Sequence, residues 1–262
     1  MVHFNLKDSY CFDDLVEIVK ILRSENGCPW DKEQTHESIR QNFIEEVYEA
    51  IEAIDTSDMP LLREELGDVL LQIVLHAQME AEKDTFDMNA VCDEVCKKLI
   101  VRHPHVFGDV VAETTNEVLS NWDAIKKETK GQKTHSEVLA SVAKSLPSLM
   151  RAQKVQKRAA KVGFDWPDVM GAFDKIVEET QELKEAIICE SNQEEEFGDL
   201  LFAVVNVARH IHVDAERSLE KAVDKFTARF TLVEQEIRSM GKEMSEMSLE
   251  ELDEVWDKVK HN

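Results

Sequence analysis

The sequence predicts an all-α fold built from two tandem copies of one helical module. Three observations carry that expectation. The 262 residues include only 8 Gly and 5 Pro, so there is little to break a helix, and hydrophobic residues at 43% suffice for a buried core. Apolar residues recur with the helical period in segment after segment, and no stretch alternates with period two long enough to argue for a strand. Five short elements recur in the same order in both halves of the chain, which indicates duplication.

In the first half, Phe12, Leu15, Val16, Val19 and Leu22 form an amphipathic stripe, and Gly27-Cys28-Pro29-Trp30 breaks it. Phe43, Val47, Ala50, Ile51 and Ile54 form a second stripe, with a turn expected from Asp55 to Pro60. Leu61–Gln78 reads as a strongly apolar third helix and Met88–Val101 as a fourth, ended at His103-Pro104-His105 because a proline disfavours helix in the residue before it. Val118–Glu128 reads as a short fifth helix, and Lys130-Gly131-Gln132-Lys133-Thr134 as the linker. In the second half, Ser148–Lys161 is helical and Gly163-Phe164-Asp165-Trp166-Pro167 breaks it. Helices follow at Phe173–Ile188, Glu194–Ile211 and Leu219–Ile237, and the last opens at Ser248 with Glu251 three residues on, a capping-box pattern. This places one module at 1–130 and the other at 131–262.

The recurring elements are specific. Gly27-x-x-Trp30 is echoed by Gly163-x-x-Trp166. Glu45-Glu46-x-x-Glu49 is echoed by Glu178-Glu179-x-x-Glu182, and Glu65-x-x-Asp68 by Glu196-x-x-Asp199. Lys98-x-x-x-Arg102 matches Lys225-x-x-x-Arg229, and Trp122-x-x-x-Lys126 matches Trp256-x-x-x-Lys260.

In both acidic motifs two carboxylates stand at i and i+3 and share a helix face. Adjacent antiparallel helices would aim Glu179, Glu182, Glu196 and Asp199 at one point, and Glu46, Glu49, Glu65 and Asp68 at another. Two like charges about 4 Å apart repel by roughly 4 kcal/mol at an effective dielectric near 20. A divalent cation removes that penalty, and magnesium prefers hard oxygen ligands while keeping positions open for water and phosphate. Each ExxD also leads directly into an apolar run (Val69-Leu70-Leu71 and Leu200-Leu201-Phe202), so its carboxylates sit at the root of a buried helix and need a counter-ion. The basic pairs and their tryptophans share helical faces and are suited to phosphate oxygens and a pyrophosphate leaving group; Trp30 and Trp166 are candidates for stacking on a base.

Charge and motif absences exclude other classes. A formal net charge of −23, from 54 acidic and 31 basic residues, argues against a nucleic-acid backbone as partner. No apolar stretch approaches a membrane span, and five cysteines without CxxC spacing indicate neither a disulfide framework nor a zinc site, so a cytoplasmic protein is expected. No GxxxxGK[ST] loop occurs.

With these elements together the chain resembles the MazG family of bacterial nucleoside triphosphate pyrophosphohydrolases over essentially its whole length. The most specific stretches are Cys28-Pro29-Trp30-Asp31-x-x-Gln34-Thr35, the paired carboxylate motifs, Arg102-His103-Pro104-His105-Val106-Phe107-Gly108-Asp109 and Val162-Gly163-Phe164-Asp165-Trp166. The resemblance implies an all-α nucleotide pyrophosphatase fold, a homodimer, and cleavage of nucleoside triphosphates to monophosphate and pyrophosphate in nucleotide-pool housekeeping, with links to nucleotide stress signalling; a GTPase is a candidate partner. It implies Mg²⁺ held by Glu179, Glu182, Glu196 and Asp199. By the same resemblance Glu178 is expected to orient the attacking water and Lys225, Arg229, Trp256 and Lys260 to contact the nucleotide, with Trp166 a candidate for a further substrate contact. The C-terminal copy is expected to be the principal site. Glu46, Glu49, Glu65, Asp68, Lys98, Arg102, Trp122 and Lys126 form a second possible site. Two alternatives remain open at this point: an idle nucleotide-sensing or GTPase-binding adaptor, and a narrow dUTP or modified-nucleotide pyrophosphatase.

Overall fold

The computed structural model describes residues 4–129, 131 and 133–261. They form helices and connecting turns, and among the described residues there is no strand. The chain divides into two compact units between Lys126 and Lys127. Of the linker read from the sequence, Lys130 and Gln132 lie outside the described residues, and Thr134 is instead the N-cap of a short helix.

In the first unit, α1 (Phe12–Arg23) is followed by α2 (Pro29–Glu33), then by α3 (Arg40–Thr56) and α4 (Met59–Ala81), which pair as a hairpin. Next come α5 (Met88–Arg102), the single turn α6 (Pro104–Phe107) and α7 (Thr115–Thr129). Helix α1 packs on α4 around Val19, Ile39, Val74, Leu75 and Met79, a small aliphatic core. The hairpin turn is tighter than the sequence suggests. It comprises only Ser57 and Asp58, because Ser57 takes the left-handed conformation (φ 58°) and Asp58 caps α4 by accepting the Leu61 amide at 3.0 Å. Pro60 then stands in the first turn of α4, where its missing N–H costs nothing.

Helices α2 and α6 are absent from the sequence reading. Each spans five residues or fewer and opens on a proline, too short for the apolar period to register. Trp30 therefore lies inside a helix rather than after a turn, and it is exposed.

The second unit repeats the plan. The short α8 (His135–Ala140) precedes α9 (Ser148–Ala160), and α10 (Val169–Cys189) and α11 (Gln193–His210) form the hairpin. Helix α12 (Ala215–Ser239) leads through the 3₁₀ turn η1 (Met244–Glu246) to α13 (Leu249–His261). The Ser248/Glu251 capping box forms as read: the Ser248 amide donates to Glu251 at 3.0 Å and the Glu251 amide to Ser248 Oγ at 3.3 Å. Helix α9 packs on α11 as α1 packs on α4.

The repeated Gly-x-x-Trp has a different physical cause in each copy. At Gly27 a Cβ would stand 2.2 Å from the Leu22 carbonyl oxygen, so no side chain fits. At Gly163 the space is open, but φ is +83°, a region that favours glycine.

One buried cation ties the first unit's loop to its hairpin. Arg23 donates to both oxygens of Glu82 (2.8 and 2.9 Å) and to the backbone carbonyls of Asp31 and Gln34. Arg23→Ala removes the donors and leaves the two carbonyls unmet. The expected loss is roughly 1.5–3 kcal/mol of unfolding free energy, measured by urea denaturation.

Candidate metal centre

The two helix hairpins bring most of the predicted carboxylates together. In the second unit Glu178, Glu179 and Glu182 on α10 place carboxylate oxygens within 4.8 Å of one another, and so do Glu179, Glu196 and Asp199 across α10 and α11. Glu179 belongs to both groups and is buried. In the first unit the corresponding group is Glu46, Glu49 and Glu65, with Glu65 buried at the root of α4. Asp68 lies close enough for its charge to act on both Glu46 and Glu65.

The electrostatics are those of crowded acids. Burial and then the Asp68 and Glu49 charges push the Glu46 carboxyl above the ordinary carboxylate range. Glu65 is raised by burial, then Glu49 and Asp68; Glu182 by burial, then Glu179 and Glu196. Clustered hard oxygen donors that resist ionisation fit a divalent cation of the magnesium type, which restores the charged forms.

The two copies differ in one respect that the motif comparison missed. Lys175 on α10 pairs with Glu179 at 2.6 Å and with Glu178 at 3.0 Å, and the two hydrogen bonds raise its pKa. Four residues before Glu46, the matching position is Asn42, which has no charge. The signal was present in the sequence as a lysine at i−3 and i−4 from the two glutamates.

The basic and indole residues gather on other helices. Lys225 and Arg229 lie on α12, and Trp256 and Lys260 on α13. Trp256 packs against the core of Val233, Ile237 and Val255, its ring 5.2 Å from that of Phe226. Among the described residues Lys225, Arg229 and Lys260 make no ion pair with the carboxylates of α10 and α11. In the first unit Lys98 is exposed on α5, and Lys126 lies on α7. Arg102 stands over the Trp122 ring at 5.3 Å while His103 meets the same ring edge-on, a cation–π pair at the end of α5.

Trp166 sits against the backbone of Gly171, where a Cβ would come within 3.0 Å of its indole. It borders a mainly apolar cleft of about 420 Å³ with Val155, Gln156, Phe164, Phe202 and Arg209. Gln156 donates to the Phe202 carbonyl at 2.7 Å, and its buried Oε1 has no partner among the described residues.

Comparison with known proteins places these features in a family. A profile described as the MazG nucleotide pyrophosphohydrolase domain matches residues 34–107 and 172–233, one segment in each unit. The chain is 48% identical over 253 residues to the nucleoside triphosphate pyrophosphohydrolase of Escherichia coli (strain K12), covering 95% of this chain and 96% of that one. It is 46% identical over 249 residues to the nucleoside triphosphate pyrophosphohydrolase/pyrophosphatase MazG of Thermotoga maritima, covering 95% of each. A third relative, the nucleoside triphosphate pyrophosphohydrolase of Mycobacterium tuberculosis, is 36% identical over 161 residues, which is 60% of this chain and 48% of that protein.

Proposed function

The chain belongs to the MazG nucleotide pyrophosphohydrolase family, and on that footing we propose that it hydrolyses nucleoside triphosphates to monophosphate and pyrophosphate with Mg²⁺, principally at the C-terminal carboxylate centre. The observation that carries the reading is the pair of carboxylate groups sharing buried Glu179. Glu179, Glu182, Glu196 and Asp199 would hold the cation. When bound, magnesium neutralises phosphate charge and polarises the phosphorus–oxygen bonds.

The remaining steps belong to the chain's own groups. Glu178 is exposed at the edge of the cluster, where its carboxylate can accept a proton from a water directed at phosphorus. Lys175 is the counter-ion of Glu178 and Glu179, and a cation held by Glu179 would compete with its shorter pair and leave the one to Glu178. Lys225, Arg229 and Lys260 supply cations for the leaving pyrophosphate, with Trp256 and Trp166 as apolar surfaces for the nucleoside. The absence of a counterpart to Lys175 beside Glu46 supports assigning the principal role to the second copy.

A homodimer accompanies this reading. Val177 on α10 and Phe197, Leu201 and Val204 on α11 are 42–70% exposed. Apolar faces of this kind on a helix hairpin are covered most economically by a second hairpin. No helix among the described residues is long and apolar enough to cross a membrane.

The test is product identification after incubation with a nucleoside triphosphate and Mg²⁺. Monophosphate plus pyrophosphate is expected; diphosphate plus orthophosphate would overturn the assignment.

A further inference from the structure

From Val138 to Phe164 the chain carries six Lys or Arg residues (Lys144, Arg151, Lys154, Lys157, Arg158 and Lys161) and no Asp or Glu, within a protein of net charge −23. Two of them, Lys154 and Lys157, stand one turn apart on the exposed side of α9 and make no ion pair among the described residues. They border a cleft of about 510 Å³ between α9 and the α11–α12 turn, completed by Arg209 and His212. The acids nearby are already engaged. Asp214 also borders the cleft, but its Oδ1 accepts the Arg217 amide at 3.0 Å as the N-cap of α12. Glu216 accepts the Met150 amide at 3.3 Å. Asp165 is held by Arg209 and His210.

The duplication supplies an internal control. The first unit has a cleft of about 470 Å³ at the corresponding place, between α1, α4 and the start of α5, and its rim carries Asp13, Glu17, Glu82 and Asp87 beside a single cation, Lys20. The residues of α1 that border it, Asp13, Val16, Glu17 and Lys20, have the spacing of Met150, Gln153, Lys154 and Lys157 on α9, so Glu17 stands in the place of Lys154 and Lys20 in that of Lys157. The hairpin plan therefore does not require a pair of cations there. Both places are exposed in both units, and a framework that accepts glutamate at one of them carries lysine at both in only one copy, so the paired positive charge serves something other than packing.

We infer that the cleft bordered by Lys154, Lys157, Arg209 and His212 is a binding site for a small polyphosphate anion, separate from the carboxylate centre and independent of a divalent cation. A concave cleft favours a small molecule over an extended polymer. Two ammonium groups on side chains about 5–6 Å apart at Cβ suit adjacent phosphoryl groups better than a single one. The inference goes beyond the hydrolytic reading and does not rest on it.

Titration calorimetry of the full chain in EDTA-containing buffer tests it, with sodium pyrophosphate and sodium orthophosphate as separate probes. EDTA keeps metal out of the carboxylate centre, so any binding there is suppressed and turnover is absent. Saturable binding of pyrophosphate is expected, at least about tenfold tighter than orthophosphate. Lys154→Ala/Lys157→Ala should weaken it by at least about tenfold, since each lost bond is charge-assisted, and Glu179→Gln should leave it unchanged. Both lysines are exposed, and circular dichroism checks that the variant keeps its helices. No saturable binding to the wild type, equal affinity for the two anions, or indifference to the lysine substitutions would overturn the inference. So would equal weakening by Glu179→Gln, which would assign the anion to the carboxylate centre.

Discussion

Glu179→Gln is expected to lower kcat/KM for triphosphate cleavage by more than about 100-fold, while Glu46→Gln leaves the rate essentially unchanged. Residues that merely orient metal ligands cost 10–100-fold when removed, roughly the lower bound for a ligand itself. Glu179 is the carboxylate common to both oxygen groups of its unit, and it is buried, so no neighbour can replace it without moving a helix. Its amide would also release Lys175 from its shorter ion pair, at 2.6 Å, leaving only the longer one to Glu178, at 3.0 Å. Glutamine keeps the shape, so the helix hairpin should fold, which circular dichroism verifies. The assay is release of monophosphate and pyrophosphate under saturating Mg²⁺ for the wild type and both variants. Equal loss from the two substitutions would mean that the first unit's carboxylates contribute as much as the second's, and the assignment of a principal site would fail.

What could be read in advance depended on how local each feature is. The helix hairpins and carboxylate groups were legible because i, i+3 spacing on a helix is a rule of short range, and Glu46, Glu49 and Glu65 or Glu179, Glu196 and Asp199 need only one tight turn to meet. The turn itself was less legible, since Ser57 and Glu190 adopt left-handed conformations without glycine as a signal. Helices α2, α6 and α8 were too short for periodicity to show. The Arg23–Glu82 pair joins residues 59 apart in sequence, and nothing near either residue announces the other. Lys175 and the two differently charged clefts form a third kind of case. Their residues are plain in the sequence, but they acquire meaning only when the copies are laid in register and compared for difference rather than for likeness. Matching motifs favoured two equivalent sites; Lys175 against Asn42, and Lys154 against Glu17, argue that the copies have diverged.

Saturating Mg²⁺ is expected to raise the melting temperature, and to raise it more at pH 7.5 than at pH 4.5. A ligand that binds only the folded state at about 100 times its Kd contributes roughly 2.7 kcal/mol, or roughly 5–10 °C for a module of this size. The pH dependence follows from the carboxylates. Glu46, Glu65 and Glu182 are held above their ordinary range, by burial first and neighbouring acids second. Groups whose folded pKa is raised favour the fold below their unfolded pKa, and that contribution is lost as pH rises through the folded value. The metal-free centres therefore grow less favourable across that window, while the deprotonated oxygens that a cation needs become available in the same window. Differential scanning calorimetry with EDTA or Mg²⁺ at the two pH values reads both effects. Glu65→Gln sharpens the test, because it removes one of the crowded charges: the metal-free melting temperature should rise, and the Mg²⁺-dependent increment of the first unit should shrink. An increment of equal size at both pH values, or one unaffected by Glu65→Gln and Glu196→Gln together, would mean that magnesium stabilises the protein from somewhere other than these carboxylates. A rise in metal-free stability on losing a buried acid has a further consequence: the clusters are a cost to the fold, kept for the cation they hold.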